Sequence, residues 1–162
     1  MQDIQAVFDR QGAMRHLGIR IVSIAPGAVD LELPWCEEVG QHHGYFHGGV
    51  LAALLDTACG LAALTTIADG YGVVSAEFKI NFLVPARGAL VRAEGRVVRA
   101  GRMLTVCTGT ASIGARAVAL MQATMAGVPD GPTASVPEGT TASVPEGTTA
   151  NVPEGTTTSL PV

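Results

Sequence analysis

Apolar and polar positions divide the chain into a helically spaced start, one run apolar on nearly every face, a series of alternating stretches and a polar repeat. Ile4, Val7, Phe8, Met14 and Leu17 predict one short amphipathic helix over residues 3–17, stopped at Gly18. Residues 19–24 and 29–33 read as two strands parted by Pro26-Gly27, and residues 35–46 as a loop carrying Gln41, His42, His43, Gly44, Tyr45 and Phe46. From His47 to Leu64 the run, opened by a glycine pair and apolar on nearly every face, predicts a helix that other structure encloses, ending near Asp69-Gly70.

After this helix the period changes to two. Over residues 73–82, Val74, Ala76, Phe78, Ile80 and Phe82 share the face predicted to lie on the helix, with Ser75, Glu77, Lys79 and Asn81 on the other. Residues 90–99, 104–113 and 118–126 are three more strands, joined by turns at Ala100-Gly101-Arg102 and Gly114-Ala115-Arg116. One long helix followed by antiparallel strands predicts an α+β fold in which a curved antiparallel sheet wraps a central helix.

Composition adds a boundary. The 162 residues, 48% of them apolar, suit one domain, assigned to residues 1–128. Residues 129–162 carry an eight-residue repeat, Thr133 to Thr140 recurring as Thr141 to Thr148 and Thr149 to Thr156. Units so small and polar, with regular Pro and Gly, cannot bury a core and predict a flexible extended tail, inert or partner-binding. The net charge of -4 belongs to that tail, because Asp130, Glu138, Glu146 and Glu154 face no base there and residues 1–128 are balanced.

Within the balanced part the bases are concentrated late. Lys79, Arg87, Arg92, Arg96, Arg99, Arg102 and Arg116 stand against Glu77 and Glu94, which suggests a phosphate-bearing ligand. The cluster is too sparse and too poor in aromatics for nucleic acid. Cys36, Cys59 and Cys107 form no Cys-x-x-Cys pair, and the start shows no signal pattern, so reduced thiols in the cytoplasm are expected. A membrane span over residues 49–64 would be short and would put Asp56 near its middle at a cost of about 2.5 to 3.5 kcal/mol, which argues against it.

Asp56 is the ionisable group of that apolar helix, and no base within the helix neutralises it. A carboxylate so placed needs a partner or a task. At the helix start, Gly48 and Gly49 let a ligand approach closely, and their N–H groups are expected to be free at the positive end of the helix dipole, able to hold an oxyanion. Asp56 follows His47 by nine residues, roughly 13 Å along the axis and on the opposite side. Both ends therefore serve one substrate atom only if the carboxylate comes from a second copy of the chain, as in a two-fold dimer.

Gly44-Tyr45-Phe46-His47-Gly48-Gly49 with Asp56, then Ala76 to Ala86 and Arg99-Ala100-Gly101-Arg102, resemble the hotdog-fold acyl-CoA thioesterases, with the phenylacetate-degradation type as the nearest branch. The resemblance covers about residues 15–128. It implies a homodimer or homotetramer that hydrolyses a coenzyme A thioester without a metal or added cofactor, coenzyme A being part of the substrate. Asp56 matches the family's helix carboxylate, Gly48 the glycine whose N–H polarises the carbonyl, and His47 the histidine before it. Gln41 matches a polar residue that positions water. Many relatives have Asn there, whereas Gln occurs in a sister branch whose carboxylate is Glu. Ser75 matches a hydroxyl residue that orients the carboxylate or the water from the neighbouring subunit.

On this reading Asp56 is a general base on water or a nucleophile forming a mixed anhydride. His47 bonds near the thioester or holds the loop. Arg87, Arg99 and Arg102 are candidates for the phosphates of coenzyme A. Three histidines in one loop, His42, His43 and His47, lack the carboxylate or helix pair of a zinc site, so no metal is expected. The rival readings are a hydratase or dehydratase of the same fold and a non-catalytic acyl-CoA-binding module.

Overall fold

In the computed structural model the described residues are 2–131, and the repeats after residue 131 lie outside them. The predicted first helix is two, α1 (Ile4–Asp9) and α2 (Gly12–Leu17), because Gln11 leaves the helical region at φ -79°, ψ 94° and starts a new helix. Asp3 caps α1 by accepting the Ala6 N–H, and Gly18 ends α2 at φ 73°, where a side chain would be strained. Strands β1 (Arg20–Ala25) and β2 (Ala28–Pro34) form the expected hairpin. The loop that follows contains a 3-10 turn at Glu37–Val39 and closes on itself through a bridge between Gly40 and Phe46.

Helix α3 (Gly48–Leu64) stops earlier than Asp69-Gly70. Thr65 and Thr66 end it, their hydroxyls donating to the Ala62 and Ala63 carbonyls at 2.6 and 2.8 Å, a competition for carbonyls that β-branched hydroxyl residues favour. The sheet continues through β3 (Tyr71–Phe82), β4 (Leu90–Ala100), β5 (Leu104–Ile113) and β6 (Arg116–Pro129). Its order is β1-β2-β4-β5-β6-β3, all neighbours antiparallel, so β3 is an edge strand beside β6. Pro129 pairs with Tyr71 and the Asp130 N–H donates to Gly70, so the domain runs past the boundary at residue 128.

Leu51, Leu54, Leu55, Leu61 and Leu64 are buried along α3, and each contributes roughly 1.5–3 kcal/mol on leaving water. The helix is wrapped by the sheet, the hotdog architecture of the family resemblance. The helix backbone comes very near Gly95 of β4, where a Cβ would land on the Ala58 carbonyl and stand 2.8 Å from the Cys59 nitrogen. Only glycine admits a helix backbone that near.

The facing of β3 differs from simple alternation. Ser75 pairs with Met125 and Glu77 with Thr124, so Ala76 is an extra residue, a β-bulge. Residues opposite each other share a face, and Met125, Ala123 and Met121 all point into the core. Val73 and Ser75 before the bulge, and Phe78, Ile80 and Phe82 after it, therefore face α3, whereas Val74 turns outward at 50% exposure. The expectation that Ser75 points away from the helix and Val74 toward it is corrected by that one residue.

Candidate active site

The start of α3 is organised by His47. As its N-cap, at φ -66° and ψ 135°, the residue accepts the Gly49 N–H on Nδ1 at 3.0 Å. The expected pair of free donors is thereby reduced to one, since the Gly48 N–H finds no acceptor among the described residues. Gly48 lines a cavity of about 460 Å³, shared with Gln41, Tyr45, Phe46, Leu51 and Phe82. Gln41 is held by the loop: its N–H donates to the Tyr45 carbonyl at 2.8 Å, and its Oε1 accepts the His43 N–H at 2.6 Å. Phe46, which lines this cavity, is buried and meets Trp35 edge to face at 5.0 Å.

Asp56 lies two turns on and is partly buried. Its Oδ1 accepts the Ser75 hydroxyl at 2.6 Å, and the same hydroxyl lies 3.5 Å from the Met125 sulfur. Asp56 and Ser75 line a second cavity of about 670 Å³, whose far wall is Asp3, Val7 and Arg10 of the N-terminal segment. Gln2 fastens that segment to β3 by donating to the Tyr71 carbonyl at 2.6 Å. The segment predicted as one short amphipathic helix is thus part of the carboxylate's surroundings, and Arg10 there was not foreseen, because an Arg in an amphipathic stretch carries no signal of what it faces.

Gly48 and Asp56 occupy different cavities with no lining residue in common. Eight residues of helix, about 12 Å of rise, separate them within one chain. The exposed arginines are divided as well. Arg87 follows Ala86, whose carbonyl takes the Phe46 N–H at 2.9 Å beside the helix start. Arg99 and Arg102 are at the β4–β5 turn, by Met103, whose carbonyl accepts the Gly127 N–H near Ile67 beyond the helix end. The late surplus of bases is partly cancelled, because Arg96 is held by Asp30 at 2.5 Å and Glu94 at 3.3 Å.

The buried thiols are poor nucleophiles. Burial, with Cys107 and Asp56 adding to it, pushes Cys59 up to about 12, and burial pushes Cys107 up to about 11. His42 and His43 lie ring against ring at 3.9 Å, and among the described residues no group of three or more His, Cys, Asp or Glu side chains could hold a metal ion. No helix of the described residues is long and apolar enough to cross a membrane.

Residues 43–120 match the model of the thioesterase superfamily. The structure of a thioesterase family protein from Silicibacter pomeroyi is 40% identical, with a TM-score of 0.77 over 78% of this chain and 96% of that one. The 1,4-dihydroxy-2-naphthoyl-CoA hydrolase of Listeria monocytogenes is 32% identical over 59% of this chain and 77% of its own length. The E. coli PaaI protein from the phenylacetic acid degradation operon shares the fold, with a TM-score of 0.72 at 24% identity over 78% of this chain and 91% of that one.

Proposed function

The chain belongs to the thioesterase superfamily, and on that premise we propose that it hydrolyses an acyl-CoA thioester in the cytoplasm, at a site completed by a second copy of itself. The observation that carries the composite site is the separation of the free Gly48 N–H from the Ser75–Asp56 pair into two cavities of one chain. Neither half suffices alone. Strand β3 supplies the place to join: it is an edge of twelve residues, and Val74 and Phe78 on it are exposed. A long apolar edge invites pairing with another strand. Two-fold pairing there sets the helices antiparallel, so that the start of one meets the middle of the other, and such dimers can pair further into a tetramer.

In the assembled site the Gly48 N–H polarises the thioester carbonyl and holds the oxyanion, while Asp56 of the other copy acts on water or on the carbonyl itself. As general base it takes a proton from water, whose oxygen bonds to the carbonyl carbon; the carbon–sulfur bond breaks and the thiolate leaves and is protonated. As nucleophile its oxygen bonds to that carbon, expelling thiolate, and water then cleaves the anhydride. Ser75 orients Asp56, Gln41 positions water and His47 fixes the turn that frees Gly48. Antiparallel helices also bring Arg87 of one copy toward Arg99 and Arg102 of the other, a set suited to the phosphates of coenzyme A. The similarity to the Listeria 1,4-dihydroxy-2-naphthoyl-CoA hydrolase supports this substrate class.

Mixing Asp56→Ala chains with Gly48→Pro chains tests the composite site. Each variant is expected to be inactive alone, and the re-equilibrated mixture to regain about a quarter of wild-type thiol release, because half the dimers keep one intact site of two. A fully active monomer sinks the composite site. No thiol release from any acyl-CoA sinks the hydrolase in favour of a binding module or hydratase.

A further inference from the structure

Phe82 ends β3 and lies directly over the helix start. A Cβ placed on Gly48 would stand 3.1 Å from its Cζ and 3.5 Å from its Cε1. The ring is there because the bulge at Ala76 sets the inward phase of Phe78, Ile80 and Phe82, with Phe82 opposite Ala119. It is 53% exposed, and it lines the same cavity as Gly48 and Leu51. A large aromatic left half open to a cavity, beside an N–H with no acceptor, limits what can occupy that space.

An oxyanion held by the Gly48 N–H would sit about 2.7–3.1 Å from the nitrogen. Gly48 and Phe82 line one cavity, so an acyl group whose carbonyl is held by that N–H packs its first carbons beside the Phe82 ring, which offers only hydrocarbon. We propose that Phe82 is a specificity-determining residue that restricts branching at the acyl carbon next to the thioester carbonyl. This rests on the acyl-CoA hydrolase reading above. Shape exclusion of this kind discriminates by roughly 10- to 200-fold per methyl-sized group.

The test compares kcat/KM, by thiol release, for butyryl-CoA and acetyl-CoA against isobutyryl-CoA and 2-methylbutyryl-CoA. Phe82→Ala is expected to raise the branched-to-unbranched ratio at least tenfold, Phe82→Trp to lower it, and Phe82→Tyr, which keeps the ring, to leave it in place. Should Phe82→Ala fail to fold, Phe82→Leu takes its role beside Phe82→Trp. A ratio that stays within twofold of wild type in the folded variants, or a loss equal for all four substrates, overturns the inference while leaving the hydrolase reading intact. Absence of thiol release by the wild type overturns both.

Discussion

The Ser75 hydroxyl donates to Asp56 Oδ1 at 2.6 Å although strict alternation along β3 would put the two on opposite sides of the sheet. The single unpaired residue Ala76 makes the difference. A bulge costs local ladder bonding, and here it turns a hydroxyl onto the carboxylate of α3 while keeping Ile80 and Phe82 on the helix side. A hydrogen bond to an ionised group is worth about 1.5–3 kcal/mol and fixes its direction.

Ser75→Ala is accordingly expected to lower kcat by about tenfold with little change in KM, since an oriented carboxylate matters to the chemical step more than to binding. Asp56→Asn should lose at least about a hundredfold. Steady-state thiol release on purified variants with unchanged unfolding midpoints checks both, and equal rates for Asp56→Asn and wild type would remove Asp56 from the mechanism.

Gly48 is the first helical residue after the N-cap His47, a position where proline fits and where its missing N–H disturbs no helix bond. Gly48→Pro therefore deletes the proposed donor, and Gly48→Ala adds the same Cβ against Phe82 while keeping it. The proline variant is expected to fall about 10²- to 10³-fold further in kcat than the alanine variant. Equal losses would assign the effect to crowding of Phe82.

Gly95→Ala should destabilise the fold by about 1–3 kcal/mol, because its methyl group meets the Ala58 carbonyl where α3 lies close on the sheet. Urea unfolding followed by tryptophan emission reads this, and a stability equal to wild type would mean that the helix shifts freely.

Cys36 is exposed, whereas Cys59 and Cys107 are buried. A thiol reagent at pH 8 should modify one cysteine per chain quickly and all three only after unfolding, a background that thiol-release assays must subtract. The raised thiols also fix the direction of the alkaline limit. The folded state keeps the Cys59 proton to about pH 12 and the Cys107 proton to about pH 11, against an ordinary value of 9.0. Above about pH 9 the unfolded chain binds fewer protons, so stability is full below that and declines as pH rises toward 11–12. Cys59→Ala should flatten part of the decline measured by urea titration at pH 8 to 11.

The residues alone determined that α3 is enclosed, that Asp56 stands in it as a single acid, and that about two helical turns separate it from Gly48. These are local properties, set by side-chain period and helix rise. Tertiary structure decided which way Ser75 points, since a bulge exists only relative to the partner strand β6. It decided that β3, read as an ordinary strand, is an edge of the sheet, because strand order depends on contacts between residues far apart in the chain. It also decided that His47 captures Gly49 and leaves Gly48, and that Phe82 leans over the remaining donor. Periodicity registers faces along one element, and a site built where several elements converge depends on distances that no single element contains.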